Sequence, residues 1–390
     1  IIGNEWQEDE IVALENAGVI SEDEAINVTV IGTDENQSYR QPPGVRVRRL
    51  TNSRVREREQ SLVLDVENLD VEHQVSATKV LSRSADYTKY TRLRMFVHGD
   101  SNATYVTGID SSDLEFFVRF GVDSLNYYEF ATPVFVGWDE RNEVDIELEE
   151  MSLLKAELRA GRFDSLGVVL NQLDTVITRP GRRDGAPAIY RVRGNPSLQQ
   201  IRQLNLGLRN LADARRFTGQ VYVDEMRLDD ARNDAGIAAF ARINTKFADF
   251  MDLDALVDWR SQNFRTIDNT ERKSGDLRTT VSTTTNVHKF LPGSWGFSIP
   301  IKASFNRDLS LPRFGPNSDV ELQADEKDSL RTERRKEFFE FSISKRGGTH
   351  WFSHWTFDQM NLRMSQTRER NTSPVTPVDD RDSQTMNFSY

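Results

Sequence analysis

Apolar and polar residues alternate one for one along much of this chain, the pattern of half-buried β-strands. Arg92 to His98 puts Leu93 and Met95 on one face, and Leu114 to Phe120, Tyr127 to Phe130 and Glu143 to Leu148 follow the same rule. Leu62 to Val66 is a compact apolar run, and Gly219 to Leu228 closes the set. Short strands at this spacing indicate a β-sandwich or jelly roll over 45–230. One helix interrupts it, expected over Met151 to Arg159 with Leu153, Leu154 and Leu158 near helical spacing. Residues 1–44 carry a weaker signal. Glu8 to Ala17 suggests a short helix stopped by Gly18, Asn27 to Ile31 a strand, and Gln41-Pro42-Pro43-Gly44 a break, since neither proline can donate to a ladder.

After Asp230 the strands lengthen. Met251 to Arg260 sets Met251, Leu253, Ala255, Val257 and Trp259 on one side and mostly charge on the other. Leu277 to Lys289 alternates more weakly. Trp295 to Phe305 is the cleanest run: Trp295, Phe297, Ile299, Ile301, Ala303 and Phe305 share one parity, with Ser298, Lys302 and Ser304 on the other. Glu337 to Ser344 and Trp351 to Met364 continue, the second with a change of parity that a bulge near Asp358 would explain. Phe290 to Trp295 reads as a tight turn, Gly347-Gly348 as a hairpin turn, and 307–336 as a long polar loop. Runs of about ten residues with a dyad period match strands of a transmembrane barrel, and Trp259, Trp295, Trp351 and Trp355 sit near strand ends, where an aromatic girdle lies. The same strands also fit a soluble sheet with tryptophans in its core, and the pattern alone does not choose.

Composition changes this picture little. The 390 residues have a mean hydropathy of −0.59 and 37% hydrophobic content, which both a soluble protein and a barrel produce. No run approaches the ~18 apolar residues of a membrane-spanning helix. The chain opens on Ile1 and ends inside an alternating run at Tyr390, so both ends read as fragment ends. Charge is uneven: residues 1–230 hold 27 Lys+Arg against 39 Asp+Glu, and 231–390 hold 23 against 22. The acidic part argues against nucleic acid, and the basic cluster Arg46 to Arg58, broken by Glu57, reads as a solvated face. Cysteine is absent, which excludes disulfide scaffolds and thiolate chemistry.

Candidate chemistry is sparse. Asp145, Glu147 and Glu149 share parity, but they read as a solvated face rather than as a glycosidase pair. The histidines are His73, His98, His288, His350 and His354; the last two are four apart but have no third ligand nearby. Asp224-Glu225 ends a strand of the kind that holds structural calcium in some jelly rolls, against the simpler reading of solvated carboxylates. No G-x-S-x-G elbow, catalytic triad or phosphate loop is present, so the expectation is a non-enzyme without metal or other cofactor. A sugar site on the sandwich would have to use Tyr127, Tyr128, Phe130 and Trp138.

Several stretches together resemble one family, the SprA/Sov outer-membrane translocon of the type IX secretion system, associated with gliding motility in Bacteroidota-type bacteria. They are Tyr39-Arg40-Gln41-Pro42-Pro43-Gly44-Val45, Gln60 to Leu64, Tyr90 to His98, Asp113 to Arg119, Asn126-Tyr127-Tyr128-Glu129, Gly194-Asn195-Pro196-Ser197-Leu198, Gly207-Leu208-Arg209-Asn210 and Val223 to Leu228. Phe247-Ala248-Asp249-Phe250, Lys289 to Gly296, Leu311 to Pro316 and Asp319-Val320 extend the resemblance through the last third. Asp224 and Leu311 depart from the family's usual Asn and Thr or Ser. The resemblance covers about 39–390 and leaves 1–38 unplaced. It implies an all-β chain: a jelly-roll-like sandwich, then antiparallel strands of a large transmembrane β-barrel that passes folded cargo to the cell surface. The implied partners are secreted cargo proteins, a PorV-type shuttle, a plug protein and outer-membrane lipid; in such a barrel, strand parity puts Trp295, Phe297, Ile299, Ile301, Ala303 and Phe305 on the membrane face. The alternatives are a surface glycan-binding sandwich of another outer-membrane protein and a carbohydrate-binding domain of a secreted hydrolase.

Overall fold

The computed structural model describes residues 6–9, 11–14, 19–33, 36, 39–45, 60–159, 167–170, 175–180, 188–264, 274–316, 318–347, 358 and 360–390. The chain is nearly all β and forms two compact units, Ile1–Arg232 with Asn317–Val320, and Asn233–Pro316 with Glu321–Tyr390.

The first unit contains β1 (Gln7–Glu8), β2 (Val12–Ala13), β3 (Ala25–Gly32), β4 (Gln60–Leu69), β5 (His73–Ala85), β6 (Tyr90–His98), β7 (Leu114–Asp123), β8 (Asn126–Pro133), β9 (Val144–Glu147), α1 (Leu148–Arg159), β10 (Gly167–Leu170), β11 (Thr175–Pro180), β12 (Ile189–Arg193), β13 (Ile201–Asn210) and β14 (Phe217–Ala231). They make two antiparallel sheets, β1-β5-β13-β7-β8-β12-β11-β10, with β2 also on β5, and β3-β4-β14-β6-β9. Both sheets send side chains into one core. Leu114, Phe116, Val118 and Phe120 of β7 meet Leu62, Leu64 and Val66 of β4 and Leu93, Met95 and Val97 of β6 in a single buried cluster. Alternation therefore selects the strands, and burial of one face of each sheet joins them.

Two local expectations change. The helix expected over Glu8 to Ala17 is not formed by its described residues: β1 and β2 lie on β5, and Leu14 N–H donates to Glu72 O. A free sheet edge satisfies those backbone groups better than an isolated acidic turn does. The sandwich helix starts at Leu148, three residues early, and buries Leu148, Met151 and Leu154, while Leu153 faces solvent. The side chain of Leu158 lies outside the described residues.

The second unit contains β15 (Ala238–Phe247), β16 (Met251–Arg260), β17 (Ser274–Asn286), β18 (Phe297–Ser298), β19 (Pro300–Pro312), α2 (Ala324–Ser329), β20 (Thr332–Lys345), β21 (Asn361–Thr372) and β22 (Asp379–Ser389). The order β15-β16-β17-β19-β20-β21-β22, with the two-residue β18 on β20, is an antiparallel meander in which, β18 aside, each strand neighbours the next in sequence. The polar loop expected at 307–336 is shorter. β19 runs on to Pro312 and β20 begins at Thr332, leaving 313–331 as the connection. Charge suggested a loop there, yet Arg307 and Glu333 pair at 2.7 Å and Arg278 and Asp308 at 2.8 Å, so the charged residues are satisfied within the ladder. The parity change expected near Asp358, and most of its strand, fall outside the described residues.

Candidate functional site

Register decides which side chains share a face, because residues directly opposite each other on paired strands project the same way. Ile301 lies between Thr285 and Phe341, Ala303 between Thr283 and Phe339, and Phe305 between Val281 and Glu337. Continuing outward, Thr285, Thr283 and Val281 pair with Met251, Leu253 and Ala255, and these with Phe247, Thr245 and Ile243. On the other side Phe341 pairs with Met364, and Met364 with Met386. Apart from Arg307, one face of the sheet is thus apolar or threonine across β15 to β19, and it continues as Phe339, Phe341, Ile343, Leu362, Met364, Met386 and Phe388, with Gln366 and Gln384 among them. On β16 the apolar set runs from Met251 to Trp259, nine residues or about 30 Å at ~3.3 Å each. That matches the ~25 Å apolar band of a tilted barrel strand.

The band ends at a charged corner on the same face. Arg307, Arg335, Arg368 and Arg370 pair there with Glu333, Asp382 and Asp380 at 2.7–3.3 Å. The opposite face is polar throughout its centre. Lys302 reaches Glu340 at 3.1 Å, Arg363 reaches the same carboxylate at 2.5 Å, and Arg242 pairs with Asp254 at 3.0 Å. Phe240, Leu256 and Phe338 are the apolar exceptions on that side.

The six residues singled out by parity behave unequally. Phe297, Ile301, Ala303 and Phe305 keep one register along β20. Ile299 sits in the gap between β18 and β19, its N–H donating to His288 Nδ1 at 3.1 Å and its carbonyl accepting from Val287 N–H at 3.0 Å. The gap falls before Pro300, which has no ladder donor to offer. Trp295 is not in the strand. It closes a 3₁₀ turn, Gly293–Trp295, with its ring edge-on to Phe297 at 6.4 Å. The turn needs Gly296 at φ +67°, where a Cβ would collide with the Arg346 carbonyl. Trp351, Trp355, His350 and His354 fall outside the described residues.

In the first unit the stretches that carry the resemblance converge. Arg119, Glu129, Arg191 and Arg209 come from four strands but lie on one face of the larger sheet. Glu129 is 1% exposed and accepts from Arg119 at 2.5 Å, from Arg209 at 3.2 Å and from Arg191. Burial alone would raise its pKa, but the three guanidinium groups outweigh burial and hold it far below the usual carboxylate range. Arg209 also reaches Glu115, and Arg119 lies over the Phe117 ring at 4.3 Å. Gly207 leaves the room that ring occupies. These ion pairs tie β7, β8, β12 and β13 together across one face of the sheet, and Arg209 Nε alone among their buried nitrogens is left without a partner.

The other candidates resolve similarly. Asp145 and Glu147 face Arg92 at 2.7 and 2.6 Å across the β6–β9 ladder, and Glu149 belongs to α1 rather than to their strand. His73 pairs with Glu24 at 2.8 Å in the core, and His98 stacks on Tyr222, with its pKa lowered by burial. Among the described residues no group of His, Asp and Glu is arranged to hold a metal ion. Asp224 turns inward at a bulge where Glu225 has φ +49°, and it accepts from Tyr39 and Ser61 hydroxyls at 3.2 and 3.1 Å. Burial raises its pKa, and its oxygens are taken up by the two hydroxyls on Oδ2 and the Glu225 N–H on Oδ1. Tyr128 and Phe130 are fully buried, so the aromatic cluster that a sugar site would need is not on one surface.

A family model described as motility related/secretion protein (SprA, N-terminal) matches residues 1–325, and so takes in the first 38 residues as well. No curated protein matches the chain.

Proposed function

Since the chain belongs to the motility related/secretion protein family, we propose that it serves secretion as part of an outer-membrane translocon, with its second unit a stretch of barrel wall. On this reading the apolar face of β15 to β22 meets lipid and the ion-paired face lines the passage. Folded cargo proteins cross it, a PorV-type shuttle and a plug protein act beside it, and no bond chemistry is catalysed. The observation that carries the reading is the register-aligned apolar face, unbroken from Ile243 through Ala255, Val281 and Phe305 and backed by Lys302, Glu340 and Arg363. A soluble sheet with the same alternation would need a second layer over that face. Yet Trp259, Val257, Phe339 and Met364 are exposed.

Paired arginine substitutions in the full-length protein test this. Ile301→Arg places a cation on the apolar face, where it costs about 2–4 kcal/mol at mid-bilayer, and Ser304→Arg places one on the polar face, where it is tolerated. The expected result is loss of outer-membrane assembly for Ile301→Arg alone. Greater damage from Ser304→Arg would overturn the barrel reading, and the translocon reading with it.

A further inference from the structure

The connection between β19 and β20 contains a side chain with an unusual setting. Asp319 is 3% exposed and belongs to the first unit, as does Ser318, 1% exposed. Its neighbours up to Pro316 and from Glu321 belong to the second unit. The Asp319 carboxylate is surrounded by donors from three places in the sandwich. Lys155 Nζ of α1 lies 3.1 Å from Oδ1; Tyr128 OH of β8 donates to Oδ2 at 2.6 Å, Leu198 N–H at 3.0 Å and Ser152 Oγ at 3.3 Å. Lys155 is itself 1% exposed and also donates to Pro196 O. Gln199 Nε2 holds the Ser318 carbonyl at 2.7 Å.

We infer that Tyr128, Ser152, Lys155 and the Leu198 amide form a carboxylate-binding socket in the sandwich, and that its ligand is the chain's own Asp319. Every donor in it is of a kind that recognises a carboxylate: a cation, two hydroxyls and a backbone N–H. The carboxylate is not incidental to the packing. A buried ammonium such as Lys155 is unfavourable without an opposite charge, and Asp319 supplies it. Ser318-Asp319 lies in the four-residue segment 317–320 of the first unit and is in no strand, so its hold depends on side-chain recognition and not on a ladder. The socket thus holds Ser318-Asp319 within the first unit, and it does not depend on the membrane reading of the second unit.

Hydrogen exchange at the Leu198 amide reports on the clasp directly, because that N–H donates to the carboxylate. In the full chain, Asp319→Ala is expected to speed Leu198 exchange roughly 100-fold or more, the factor that corresponds to breaking a buried ion pair from one side. The β7 amides from Phe116 to Phe120 should keep their protection. Sodium acetate should restore Leu198 protection in a concentration-dependent way, acetamide should not, and Lys155→Met in the same background should abolish the rescue. If Asp319→Ala fails to fold, Asp319→Asn, which keeps the shape and removes the charge, should show the same exchange increase. Unchanged Leu198 exchange, rescue by acetamide equal to that by acetate, or a β7 loss as large as that at Leu198 would each overturn the proposal.

Discussion

Replacing Glu129 by Gln removes one charge from the most enclosed ionic cluster in the sandwich while keeping the shape of the side chain. Glu129 is 1% exposed, and three guanidinium groups, those of Arg119, Arg191 and Arg209, converge on it. Without it, Glu115 is the remaining carboxylate on Arg191 and Arg209, and the new amide N–H₂ points at donors. Breaking a buried ion pair from one side costs about 3–5 kcal/mol. For a unit of this size each kcal/mol lowers Tm by about 2–4 °C, so the expected drop is about 6–20 °C. The assay is thermal unfolding of the full chain followed by near-UV circular dichroism, where the buried tyrosines of the sandwich report. The folded pKa of Glu129 is depressed. Its contribution is therefore present above the unfolded carboxylate value of about 4.3 and is lost as pH falls below it. The gap between wild type and Glu129→Gln should narrow as pH falls from about 5 to about 3. A Tm within about 2 °C of wild type at neutral pH, less than one kcal/mol, would refute the argument that this cluster braces the sheet.

Asp224→Asn tests the opposite sign. Its carboxyl is raised by burial, so ionisation costs stability above the unfolded pKa, and the variant should gain Tm at pH 8 and match wild type at pH 4. Gly207→Ala puts a methyl group against the Phe117 ring and the Val75 carbonyl, and should cost about 1–3 kcal/mol in the same melts. Trp138 stacks edge-on to His98 and donates from Nε1 to Arg40 O at 2.7 Å, so a glycan array should find no micromolar ligand that Trp138→Ala abolishes. Such a ligand would favour the surface glycan module instead.

Alternation alone placed most of the strands. β7, β14, β16 and β19 contain the runs whose period of two is visible in the sequence, because a strand with one face buried must repeat every second position, and β4 was visible as a compact apolar run. The parity of Phe297 to Phe305 was legible for the same reason, and the ordered stretches from Tyr39 to Val320 pointed to the family. What only the tertiary structure decided were the partnerships across strands. Asp145 looks like a bare acidic face until Arg92, 53 residues away, is paired beside it, and charged β19 and β20 look like loop until Arg307 meets Glu333. The first residues look helical until the free edge of β5 offers them a ladder. Asp319 shows the limit most clearly: nothing within 100 residues of it announces a ligand, yet its donors Lys155, Tyr128 and Leu198 lie 164, 191 and 121 positions away. Local sequence dictates which dihedral angles and which face a residue adopts. The fate of a charge is set by what lies within a few ångströms, and only the fold decides that.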